Sequence, residues 1–83
     1  MAVLDNIETM PMDAPQWLRS FAARAGTDPP SEAEIETLLV LAGVAAHASE
    51  RTAAPITCWL TARAGITPER ALELAHELSQ SSS

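Results

Sequence analysis

Apolar residues recur at helical spacing from Ser31 to about Ser49, where Ile35, Leu38, Leu39, Ala42, Ala45 and Ala46 share one face. Val40, Leu41, Val44 and Ala48 fall on the opposite side of the same wheel. This pattern predicts a helix that is apolar nearly all round and therefore forms the buried centre of the chain. Its start is marked by Ser31 and Glu34, which read as a capping box, the hydroxyl serving one orphan N–H and the carboxylate reaching back to another. Glu32, Glu34 and Glu36 sit near the positive end of the helix dipole. Gly43 lies mid-helix, where glycine costs about 1 kcal/mol against alanine, so a close approach by a neighbour, Trp17 or Trp59, is the expected compensation.

The other elements follow from the same reading. In residues 1–12, Leu4, Ile7 and Met10 sit three apart but Pro11 stops the pattern, which suggests a flexible N-terminal arm. A first helix spans Ala14 to Ala25, with Asp13 as N-cap, Pro15 in the first turn and Gly26 closing it. Its stripe of Trp17, Leu18, Phe21, Ala22 and Ala25 is suited to cover the central helix. Thr27 to Pro30 is a stiff connector, since Pro29 and Pro30 exclude helix and restrict the residue before them. After Glu50 the chain turns through Arg51 to Ala54 into a third helix from about Pro55 to Ala64, ended by Gly65, whose buried side is Ile56, Trp59 and Leu60 with Cys58. Thr67-Pro68 is an N-cap and N1 pair. It opens a fourth helix that carries Ala71, Leu72, Leu74, Ala75 and Leu78 to about Ser79, with Arg70 and Glu73 able to pair at one-turn spacing. No strand and no internal repeat stand out. The expected fold is all-α, a compact bundle of four helices with short loops in residues 13–79, followed by a disordered polar tail, 80–83.

Composition narrows the function classes. The 83 residues suffice for one core. The chain has 11 acids against five Arg, a net charge of −6, so nucleic acid is excluded as a partner, because binding phosphates needs a positive field. An acidic surface can instead steer the chain to a basic patch on another protein. Cys58 is the lone cysteine, which rules out an intramolecular disulfide and makes the cytoplasm the expected compartment. Asp5 and Glu8 stand where a secretory signal would carry positive charge. The longest apolar run, Leu38 to Ala46, is about half of what a membrane span needs.

Polar groups concentrate at the junction of the second and third helices, in His47, Glu50, Arg51, Thr52 and Thr57. His47 and Arg51 are four apart, a spacing that puts both on one face of a helix. With Ala54 as N-cap, the third helix would present open N–H groups beside Arg51, so the junction is a candidate site for an anion or a carboxylate-bearing partner. The structural alternative is that His47 and Arg51 complement the negative end of the central helix, Thr52 caps the third helix and Thr57 bonds locally. Neither reading supplies a nucleophile or a preorganised acid, and the expectation is a non-enzymatic protein. Glu73 and His76 form one Glu-x-x-His spacing without the second that a di-metal bundle requires, so no metal and no cofactor are expected. Cys58 reads as a buried, inert thiol. Trp17 and Trp59 read as core anchors, and either becomes an interface hot spot if exposed. The acyl carrier class fails, since its second helix opens on Asp-Ser-Leu where this chain has Pro30-Ser31-Glu32.

Three further features carry a family likeness: Trp17-Leu18 in the first helix, Asp28-Pro29-Pro30 before the second, and the run Val44-Ala45-Ala46-His47-x-x-x-Arg51-x-Ala53-Ala54-Pro55-Ile56-Thr57 followed by Leu60 and Ala64-Gly65. In these, Trp17 to Leu78 resembles a small actinobacterial helical domain family of unknown function, found alone or attached to proteins similar to molybdenum cofactor guanylyltransferases. The chain departs from that family where Gly65 ends the third helix, which elsewhere continues into an Ala/Gly-rich stretch. The resemblance implies an accessory role near molybdenum cofactor or molybdoenzyme maturation. With no nucleotide-binding loop, the chain is not itself the transferase. The sequence thus leads to an accessory or protein-interaction module that docks on a larger protein or self-associates, with His47, Arg51, Thr57 and Trp59 as candidate binding residues. The alternative is a binder of small anions at the same junction.

Overall fold

The computed structural model describes residues 13–81. The arm expected at 1–12 lies outside the described residues, as do residues 82 and 83 of the expected tail. Four helices follow in order: α1 (Ala14–Ala25), α2 (Glu32–Ala48), α3 (Ala53–Ala64) and α4 (Pro68–Ser81). The all-α class therefore holds, and no strand occurs among the described residues. The chain divides at Pro30 and Ser31 into two compact units, the break falling where two consecutive prolines exclude helix.

In the first unit, the Asp13 carboxylate accepts the Gln16 N–H at 2.9 Å while the Gln16 side-chain oxygen accepts the Asp13 N–H at 3.3 Å. That reciprocal cap starts α1. Gly26, at φ 81°, closes it with its N–H on the carbonyls of Ala22 and Ala23; the left-handed conformation is one that glycine adopts without steric penalty. Trp17 and Phe21 stack with centroids 6.3 Å apart, and both are exposed, whereas Ala22 is buried.

In the second unit α3 and α4 both pack on α2, which makes α2 the organising helix that its apolar pattern predicts. Ser31 caps it as expected: the Ser31 hydroxyl accepts the Glu34 N–H at 3.1 Å, and the Glu34 carboxylate accepts the Ser31 N–H at 2.8 Å. Leu41 is completely buried, but α2 is not enclosed all round, since Leu39 is 67% and Val40 51% exposed. Both neighbours sit against the Leu41 side of the helix and leave the Leu39 and Val40 side uncovered. Gly43 lies on that open side. A Cβ there would meet no atom within 4 Å, so the close approach expected of Trp59 at this glycine does not occur within the second unit.

The start of α3 differs from expectation by two residues. Ser49, at φ −135° and ψ −106°, ends α2. The chain then turns through bonds from the Ala53 N–H to the Glu50 carbonyl (2.9 Å) and from the Ala54 N–H to the Arg51 carbonyl (3.1 Å). Pro55 thus falls inside the first turn, where its missing N–H does no harm. Gly65, at φ 72°, closes α3. The Thr67 hydroxyl then accepts the Arg70 N–H at 3.1 Å and opens α4, in which Arg70 and Glu73 pair at 2.9 Å in solvent. Helix α4 continues to Ser81, so Gln80 and Ser81 are helical rather than tail.

Candidate functional site

The four residues singled out from the sequence do not converge. His47 is exposed near the end of α2. Because Ser49 leaves helical geometry, Arg51 sits in the following turn, exposed, and the one-face relation that the four-residue spacing implied does not exist. The backbone donors of an anion site are also engaged: Thr52, not Ala54, is the N-cap, the Ala53 and Ala54 N–H groups bond to turn carbonyls, and Pro55 has no N–H. Thr52 makes no side-chain capping bond, because the turn already serves these donors. Thr57 is half-buried and accepts the Thr61 hydroxyl on its carbonyl at 2.9 Å. Trp59, expected in the core, is 56% exposed.

That last position reflects a rotation of the whole of α3 relative to expectation. Its inward face is Ala54, Thr57, Cys58 and Thr61, the last buried, while Ile56, Trp59 and Leu60 point outward, each more than half exposed. Thr61 satisfies its hydroxyl within the helix on the Thr57 carbonyl, so burying it leaves no orphan polar group. Cys58 lies on the same inward side, and burial pushes its thiol pKa upward, in keeping with an unreactive thiol. On the outer side the Arg63 guanidinium lies 5.1 Å from the centre of the Trp59 ring. This cation–π contact, worth about 0.5–1 kcal/mol at an exposed site, favours one placement of the ring.

Beside this crest runs a groove of about 600 Å³. Val44, Ala45 and Ala48 of α2 form its floor, Leu60 and Ala64 of α3 one wall, and Leu74 and Leu78 of α4 the other. Leu74 is 40% and Leu78 70% exposed. Leu60 belongs both to the groove and to the crest, so Ile56, Trp59, Leu60, Leu74 and Leu78 make one apolar surface across two helices. Such a surface is open to an apolar face of a partner and offers no converging acid, base and nucleophile. Among the described residues no three of His, Cys, Asp and Glu come together to hold a metal ion, and no helix is long and apolar enough to cross a membrane.

Sequence reasoning missed the groove and, with it, Leu74 and Leu78. The one available signal was Thr61: placing it outward with Thr57 makes Ile56, Trp59 and Leu60 the core face, whereas a threonine bonded to the carbonyl four residues back can be buried. The family described as a domain of unknown function (DUF6457) matches residues 9–82, and the chain belongs to it. No curated protein and no solved structure matches.

Proposed function

We propose that this chain is a non-enzymatic accessory module that works by protein–protein contact, through the outer face of α3 and the groove between α3 and α4. The observation that carries this reading is the inverted burial of α3, which turns Thr57, Cys58 and Thr61 inward and leaves Ile56, Trp59 and Leu60 more than half exposed. Burying a Leu or Ile is worth about 1.5–3 kcal/mol, and a helix that forgoes this at three successive large positions gains it on meeting a partner. Large apolar surface that persists on a small domain marks an interaction site, and an exposed tryptophan beside an arginine has the composition of a hot spot. Within this proposal the module acts in the cytoplasm. The family resemblance adds a context, an accessory role near molybdenum cofactor or molybdoenzyme maturation.

Affinity capture from the source lysate tests the reading. Wild-type chain is compared with Leu60→Glu, Leu78→Glu and Arg51→Ala. A discrete protein, or a second copy of the chain itself, is expected with wild type and with Arg51→Ala and is lost in both glutamate variants. Identification of the captured protein by mass spectrometry tests the molybdenum cofactor context. Capture that is identical in all four chains would remove the proposed surface.

A further inference from the structure

We infer that the occupant of this surface is a second copy of the chain, placed by a twofold axis so that the α3 crest of each copy lies against the apolar face of the other. The inference rests on the interaction reading above and names its partner. Charge is its first support. The chain carries 11 acids, but none falls between Glu50 and Glu69, so α3 is the one helix of its unit without a carboxylate, whereas α2 and α4 each carry three. Two copies of a chain of charge −6 repel over most of their surfaces. They meet on α3 without bringing acids together. A basic partner helix, the usual complement of an acidic protein, finds no carboxylate on this crest, only Arg63.

Order along the helix is the second support. Ile56, Trp59, Leu60 and Arg63 are spaced symmetrically about the midpoint of Trp59 and Leu60. An antiparallel copy of α3 therefore sets Trp59 against Leu60 and Ile56 against the aliphatic stem of Arg63. The two guanidinium groups fall at opposite ends, each over its own Trp59 ring. A twofold contact requires a patch that complements itself in this way. Area is the third support. From the exposures of Ile56, Trp59, Leu60, Leu74 and Leu78, and about 150–200 Å² for a fully exposed large apolar side chain, the patch offers about 450 Å² per copy and about 900 Å² across a pair. The flanking Ala64 and the Arg63 stem bring the total to the range of about 1,000–1,200 Å² at which specific interfaces begin.

Sedimentation equilibrium of the full chain, from low to high micromolar concentration, provides the test. Wild type is expected to approach twice the chain mass of 8.8 kDa. Trp59→Glu and Leu60→Glu should be monomers with unchanged helical circular dichroism, because both side chains are exposed in the single chain. Leu39→Glu, on the uncovered side of α2, should remain a dimer. Should a glutamate variant lose helicity, Trp59→Ala provides the second reading and should raise the dissociation constant at least tenfold. A wild-type chain that stays monomeric overturns the inference, as does a dimer that withstands the substitutions at Trp59 and Leu60 or is dissolved by Leu39→Glu. A monomeric wild type whose captured lysate protein is still lost in Leu60→Glu overturns the second copy and leaves the interaction reading standing. A monomeric wild type whose capture the glutamate variants do not change overturns both.

Discussion

Replacing Gly43 by alanine should stabilise the protein by about 1 kcal/mol. Gly43 lies within α2, five residues from its last residue, at an ordinary negative φ, so alanine adopts its backbone conformation without strain. Two effects then act in the same direction. The helix propensity difference favours alanine, and the unfolded chain has fewer conformations to lose when glycine is absent. The only opposing effect would be a clash, and a Cβ built on Gly43 meets nothing within 4 Å. For a domain of this size a gain of about 1 kcal/mol raises the melting temperature by about 4–8 °C. Thermal unfolding followed by circular dichroism at 222 nm, with urea unfolding alongside, measures both quantities. Since Gly43 lies off the α3 and α4 surface, the shift should be the same at low and high protein concentration. A melting temperature that falls in Gly43→Ala would refute the reasoning, because it would mean that a backbone or side chain packs closely on this glycine.

Two further predictions follow from burial. Leu41→Ala should cost about 2–5 kcal/mol, because Leu41 is the one large side chain fully enclosed among the described residues, on the helix that α3 and α4 both pack against. Leu39→Ala, at a 67% exposed position on the same helix, should stay within about 0.5 kcal/mol of wild type. Equal costs in urea unfolding would mean that α2 is not packed on its Leu41 side. The thiol of Cys58 should titrate above the ordinary thiol range, since burial disfavours its charged form. A folded-state pKa above the unfolded one gives stability that is whole below the unfolded value of about 8.5 and is lost as pH rises through the folded value. The urea midpoint should therefore fall from pH 7.5 to 9.5 by more in wild type than in Cys58→Ala. A thiol that reacts with iodoacetamide as fast in the native state as in urea at pH 7.5 would contradict this.

Helix ends were legible in the sequence because each is decided by a few adjacent residues. Asp13, Ser31 with Glu34, Gly26, Gly65 and Thr67-Pro68 all act where the sequence places them, since a cap is a contact between residues at most a few positions apart. The start of α3 was misread for the same local reason. By its sequence Pro55 reads as the first residue of the helix, but the turn bonds made by Ala53 and Ala54 carry the helix back by two residues and use the donors that an anion site needs.

Which face of a helix is buried is a different kind of question, and α3 shows why. For α2 the answer hardly depended on phase, because apolar residues surround it; what could not be read was that its neighbours cover only one side. For α3 the apolar periodicity located a real face, Ile56, Trp59 and Leu60, and the assumption that an apolar face is an internal face placed it inward. That assumption is valid where one chain buries everything it can. It fails where the apolar face is reserved for contact outside the chain, and then the inward side must be filled by residues whose polar atoms are satisfied locally. Ala54, Cys58 and Thr61 meet that requirement: one is a methyl, one a weakly polar thiol, and the Thr61 hydroxyl is taken up by the carbonyl of Thr57. A helix with one large apolar face and one face of small, self-satisfying residues can thus be packed on both sides, the small face against its own chain and the large face against another. The same residues that made Trp59 look like a core anchor are those that make it available to a partner.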